Sequence, residues 1–225
     1  MHDPAGAWEL PQELVMLRDT IRRFMQEEVA QSFQQDDCIA TVRPAYQGLI
    51  AQLDHHLGRI WYALEKLGRF DDTLIIFTSD HGDYLGDHWL GEKNLFHDPS
   101  VKIPLIIYDP SEAAGATRGT VCNELVESID LASTFIDIIG GQVPDHIVEG
   151  RSLVPFLIGE QPEWREYVIS EYDFSAQPIA KTLELEPRDC RIFMVFDGRY
   201  KLMHCAASNL RSMLFDLQTD PDELI

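Results

Sequence analysis

Residues 71–83 read DDTLIIFTSDHGD. Within them, residues 73–78 are an unbroken run of β-formers with no polar alternation. Such a run reads as a strand buried on both faces, as in a parallel sheet covered by helices. Asp80, His81 and Gly82 follow directly, where that strand should end. Ligands of open α/β sheets bind beyond the carboxyl ends of the strands. A carboxylate beside an imidazole there is half of a metal site, and Gly82 lets the backbone turn sharply. A polar loop after any strand would look the same, so the tripeptide needs its surroundings.

Upstream, residues 41–68 predict a long helix. Leu49, Leu53, Leu57, Ile60, Trp61, Leu64 and Leu67 recur at three- and four-residue steps, and Gly68 suits the C-cap. Helix, the Asp71-Asp72 turn and a buried strand give the rhythm of an α/β fold. Downstream, residues 103–108 form a second apolar run closed by Asp109-Pro110. Residues 122–139 read as a helix stopped by Gly140-Gly141, and 151–158 as a short helix. Residues 161–189 give no clear pattern. Residues 191–196, then Asp197-Gly198, then 200–204 spell a β-hairpin with a type I′ turn, and Met213–Asp216 a further strand. The division expected is an N-terminal helix and linker (1–35), an α/β part (36–160) and a small antiparallel β subdomain (161–225).

Residues 9–30 predict an amphipathic helix. Leu14, Leu17, Ile21, Phe24 and Met25 form its stripe, and Pro11 suits its first turn. Residues 31–36 read as a polar linker. The stretch LPQELVMLRDTIRRFMQEEV resembles the first helix of acyl-CoA dehydrogenases, but no flavin-binding motif accompanies it.

The chain has 225 residues, with 38 acidic against 18 basic and a formal net charge of -20. That balance argues against nucleic acid, whose backbone needs a positive face, and against electrostatic docking on an anionic membrane. No apolar run reaches the roughly 18 residues of a membrane span, and Met1-His2-Asp3-Pro4 opens no secretory signal. Cys38, Cys122, Cys190 and Cys205 form no CxxC pair. They read as free thiols of a reducing, cytoplasmic setting rather than a disulfide or zinc framework.

The stretch DDTLIIFTSDHGDYLGDHWLGEKNLFHDPSVKIPLIIYDP (71–110) resembles the sulfatase family of the alkaline phosphatase superfamily, on its phosphonate monoester hydrolase side. GRSLVPFLIGE (150–160), RIFMVFDGRYKL (191–202) and MLFDLQTDPDEL (213–224) continue the likeness in order. It implies a partial alkaline-phosphatase-like α/β sheet flanked by helices, with the antiparallel subdomain at the C-terminus. It implies Asp80 and His81 as ligands of a divalent cation (Ca, Mn or Mg). It also implies Lys93 as the contact to the anionic oxygens of a small sulfate or phosphonate/phosphate ester. By residue type alone, Lys93 would be a solvated surface lysine. The spacing of His81, His88 and His97 fits no compact zinc motif.

The family carries a Cys (or Ser)-x-Pro/Ala-x-Arg motif, whose Cys or Ser becomes the formylglycine nucleophile. Cys38 is followed by Ile39-Ala40-Thr41-Val42-Arg43, with its arginine one place late, and the other cysteines fail. Asp36-Asp37 follows no buried strand and reads as a helix N-cap or plain solvation. An inactive chain, lacking the nucleophile segment, is therefore expected. Half a sheet also leaves an edge and an apolar face open. That favours a protein partner or second copy over it, and keeps a non-catalytic interaction module, or half of a split enzyme, as the competing reading.

Overall fold

The computed structural model describes residues 36–144 and 146–224. The amphipathic helix expected over 9–30, and its linker up to residue 35, lie outside the described residues.

The described residues divide into two compact units, one containing residues 36–63 and 83–92, the other 64–82 and the described residues from 93 onward. Helix α1 (Asp36–Lys66) starts five residues earlier than its apolar period begins, with Asp36 and Asp37 in its first turn. At its end, the Gly68 amide donates to Glu65 O (3.0 Å) and the Arg69 amide to Leu64 O (2.9 Å). These two bonds form a Schellman cap, as the Gly68 signal implies. Of the predicted stripe, Leu57, Trp61 and Leu64 are half-buried, while Leu49, Leu53, Ile60 and Leu67 are exposed. In the first unit, Arg43 holds the 83–92 loop by donating to Leu85 O (2.9 Å) and Asp87 Oδ1 (2.5 Å).

In the second unit, β1 (Ile75–Thr78) pairs with β2 (Leu105–Tyr108). The pair is antiparallel, Ile75 against Tyr108 through Thr78 against Leu105, which corrects the parallel pairing expected from the apolar runs. Burial differs as well. All of β1 is half-buried, and Ile106 of β2 is 63% exposed. A continuous apolar run marks a strand with two apolar faces, but carries nothing about the direction of its neighbour or whether both faces are covered.

Helix α3 (Asp130–Ile138) begins eight residues later than expected, after the short helix α2 (Asp98–Val101). The reason is electrostatic. Asp130 is fully buried and accepts from the amides of Glu127 and Arg151 (2.8 Å each), and from both terminal nitrogens of Arg165 (2.5 Å each). The carboxylate so held takes the Glu127 amide, which a longer helix would direct to the carbonyl of residue 123, and the helix starts after it. Helix α4 (Val154–Leu157) matches the short helix read there.

The unreadable stretch 161–189 holds strand β3 (Val168–Asp173) and helix α5 (Pro178–Thr182). Strands β3, β4 (Arg191–Phe196), β5 (Tyr200–Cys205) and β6 (Met213–Asp216) form an antiparallel sheet in that order. At the β4–β5 turn only Gly198 has positive φ, +94°; Arg199 does not. A type I′ turn needs both central residues left-handed, so the expected turn type is not the one formed. The inner face packs Ile192, Met194, Met203 and Phe215 against Phe174, Cys190 and Phe96. Phe96 comes from the segment just after Lys93, so the sheet seats that segment. Among the described residues no helix is long and apolar enough to cross a membrane.

Candidate functional site

Strand β1 delivers residues 79–82 at its carboxyl end. Thr78 Oγ1 donates to Pro104 O (2.8 Å) and ties the end of the strand to the start of β2. Ser79 Oγ donates to His81 O (3.1 Å), and the His81 amide to Asp80 Oδ1 (3.0 Å). This small turn sets both side chains on one side. Asp80 Oδ2 lies 3.4 Å from His81 Nε2, and Lys93 Nζ lies 2.6 Å from the same nitrogen. The three residues singled out from the sequence therefore meet.

The imidazole orientation follows from one contact. His81 Nδ1 is 2.7 Å from Gly82 O. A carbonyl oxygen only accepts, so Nδ1 carries the proton. The lone pair then sits on Nε2, where Lys93 donates to it. A backbone carbonyl that fixes the tautomer in this way is the usual support of a metal-binding histidine. Asp80 is exposed. Partial desolvation pushes its carboxyl up, but the amides of Asp80 and His81 and the charges of His81 and Lys93 outweigh this. The group is held below the usual carboxylate range.

The second half of the site is backbone. The Gly82 amide donates to Ser100 O (2.7 Å), and Ser100 Oγ donates to Lys93 O (2.9 Å). A Cβ at Gly82 would stand 1.9 Å from Pro99 O. Helix α2 is thus in direct contact with the chain on both sides of the site, and only glycine fits residue 82. Ser100 was not a candidate from the sequence. A lone serine carries no period or spacing, and only its burial marks it.

As a metal site the arrangement is partial. A carboxylate and an unprotonated imidazole nitrogen suit a divalent cation once Lys93, which occupies that nitrogen's lone pair in this structure, gives way, but hard cations take about six ligands. Among the described residues, no three His, Cys, Asp or Glu side chains gather in such a way. His97 is buried with its ring against Phe215, 5.7 Å between centroids. In the other unit, His88 packs edge-on to Tyr84. Cys122, Cys190 and Cys205 are free thiols.

The family profile described as "N-sulphoglucosamine sulphohydrolase, C-terminal" matches residues 86–225, and the one described as "Sulfatase" matches residues 22–141. The chain is 40% identical over 190 residues to the multifunctional alkaline phosphatase superfamily protein PehA of Trinickia caryophylli, covering 82% of this chain and 36% of the relative. It is 31% identical over 182 residues to an arylsulfatase of Clostridium perfringens, covering 81% of this chain and 35% of that protein. The crystal structure of the phosphonate monoester hydrolase of Agrobacterium radiobacter superposes with a TM-score of 0.77 at 40% identity, over 85% of this chain and 38% of that one. The chain thus spans little more than a third of the length of these relatives.

Proposed function

The chain belongs to the sulfatase family, and we propose that it supplies the cation-and-anion corner of a hydrolase acting on sulfate or phosphonate/phosphate esters. Asp80 and His81 Nε2 would be two ligands of a divalent cation, and Lys93 would hold the anionic group of the ester. A cation bound there would polarise an ester oxygen as a Lewis acid. Lys93 contributes a compact ammonium aimed at the same point, where it can offset charge on the transferring group. The Nδ1–H bond to Gly82 O keeps Nε2 unprotonated, so that it can pass from accepting the Lys93 ammonium to holding a cation when Lys93 turns to the ester.

The observation that carries this reading is the meeting at His81 Nε2: a lone pair, a carboxylate oxygen at 3.4 Å and an ammonium at 2.6 Å. Titration of the chain with Mn²⁺, followed by paramagnetic broadening of backbone resonances, tests it. Broadening centred on residues 80–82 is expected. Broadening spread over the acidic surface, with 80–82 spared, would sink the metal role.

The nucleophile, on this reading, comes from outside these residues. None of the four cysteines precedes the spacing that the family's formylglycine site requires, and loss of a covalent nucleophile commonly costs several powers of ten in rate. The isolated chain with added metal should not hydrolyse aryl sulfates or phosphonate esters. Turnover by the pure chain would refute this part.

A second reading, a scaffold kept for protein interaction, draws on the exposed apolar residues of α1: Leu49, Ile50, Leu53, Ile60 and Tyr62. Gel filtration separates the two. A chain that stays monomeric across concentration and takes up Mn²⁺ at 80–82 favours the hydrolase corner.

A further inference from the structure

Three charged side chains that the proposed site does not use are gathered behind α2. Lys201 sits at an inward position of β5 and is 1% exposed. Its Nζ is 2.5 Å from Asp98 Oδ1 and 2.6 Å from Glu223 Oε1. The other oxygen of Glu223 accepts from the Asp98 amide at 2.6 Å. Three stretches far apart in sequence therefore meet on one ammonium. Glu223 is itself buried, and it holds a φ of +55° that residues with a side chain seldom adopt.

This is a costly way to fill a core. Buried ion pairs lose hydration that their mutual attraction only partly returns, and well-packed apolar residues of similar volume often do as well or better. What such a cluster does supply is a defined position, because an ammonium and two carboxylates satisfy each other in few arrangements. The position it defines is that of α2. Asp98 opens this helix, and two residues later Ser100 O receives the Gly82 amide while Ser100 Oγ donates to Lys93 O. Pro99 O leaves no room for a Cβ at residue 82. The helix is a bracket with the His81-Gly82 turn on one side and Lys93 on the other.

We propose that Lys201 is a positioning residue for the site, with Asp98 and Glu223 as its counter-charges. By fixing α2, it sets the separation of Lys93 from His81. The proposal rests on the reading of Asp80, His81 and Lys93 as a cation-and-anion site, but it can be tested apart from that reading.

The experiment uses the full chain without added metal. Lys201→Met keeps the length of the side chain and removes its charge. Thr134→Val, which deletes a buried hydroxyl bonded to Asp130 O and the Leu153 amide, serves as a control for general loss of stability. In Lys201→Met the amide resonances of Gly82, Lys93 and Ser100 and the Nε2 resonance of His81 should move at a temperature where the chain is folded. In Thr134→Val they should stay. A Lys201→Met chain that loses thermal stability but keeps all four resonances in place overturns the proposal and leaves the cluster as an anchor only. If Lys201→Met does not fold, Asp98→Asn, at a half-buried position, carries the same test with the same two outcomes. Mn²⁺ broadening at 80–82 in the unaltered chain reads the site itself, so failure of one is distinguishable from failure of the other.

Discussion

Gly82→Ala is the smallest change that should disturb both the fold and the site. An alanine Cβ at this position would lie 1.9 Å from Pro99 O and 3.0 Å from Pro99 C, whereas ordinary contact begins at 3.4 Å. Both atoms are backbone, so no side chain can rotate away. Either α2 or the 79–82 turn must retreat by about 1.5 Å to restore van der Waals separation. The Gly82 amide bond to Ser100 O, at 2.7 Å, stretches beyond hydrogen-bond range with such a movement. Overpacking typically costs about 1–3 kcal/mol, and a lost internal hydrogen bond adds about 1 kcal/mol. The sum is about 2–4 kcal/mol, and at about 2–4 °C per kcal/mol for a chain of this size Tm should drop by about 4–16 °C. Urea unfolding and calorimetry measure this, and Mn²⁺ broadening at 80–82 reports on the site in the same sample. A Gly82→Ala chain within about 0.5 kcal/mol of the parent, the range of a neutral surface change, would refute the contact between the turn and α2.

Asp80→Ala removes one of two donors and should weaken Mn²⁺ binding at 80–82 by at least about tenfold, as read by titration; unchanged binding takes Asp80 off the ligand set. Arg165→Met leaves the fully buried Asp130 carboxylate without its bidentate partner, and should destabilise the chain by about 3–5 kcal/mol in urea unfolding. Asp216, paired with Arg199 at 2.7 and 2.9 Å, has its carboxyl held down at about 2 by that bond, with burial working against it. Its folded value lies below its unfolded one, so its stabilisation is complete above about pH 4 and is lost as pH falls through about 2. Asp216→Asn should therefore flatten the acid side of a Tm-against-pH curve.

What the sequence reveals of this molecule follows from the range of each physical signal. Short-range signals read well. The three-and-four spacing of α1 and the glycine at its end predict the helix and its cap. The Asp-Gly pair predicts the β4–β5 hairpin, though not which of its two turn residues is left-handed. Long-range pairing reads poorly. The runs at 73–78 and 103–108 were legible as strands, but their antiparallel pairing is a property of two segments together and neither encodes it alone. Residues 122–129 carry helix-forming composition, yet the helix starts at Asp130, whose carboxylate takes the Glu127 amide and is itself paired with Arg165, 35 residues away. For the site, Asp80, His81 and Lys93 could be singled out by resemblance and by the end of a strand. Ser100 could not, since a serine's role appears only when its neighbours are in place. Lys201 did leave a trace: in the alternation of β5 it falls on the same face as Met203, where a charge is out of place unless something meets it.

The site is thereby tied to the C-terminal sheet more closely than its position in the sequence suggests. Lys93 stands on the segment whose Leu95, Phe96 and Val101 pack against the inner face of β3–β6, and whose Asp98 is gripped by Lys201 of β5. The His81 turn touches the same segment through Ser100 and Pro99. Local stability in proteins varies from element to element, and short segments open before cores do. Four residues of α2 cannot hold a helix on their own, so their order comes from the sheet beneath them and the ion cluster beside them. Loosening that sheet should release Lys93 from His81 before β1 and β2 separate. A site of the proposed kind, with a cation on the His81 turn and an anion contact at Lys93, needs such a coupling, because the distance between them is the property on which an ester's fit depends.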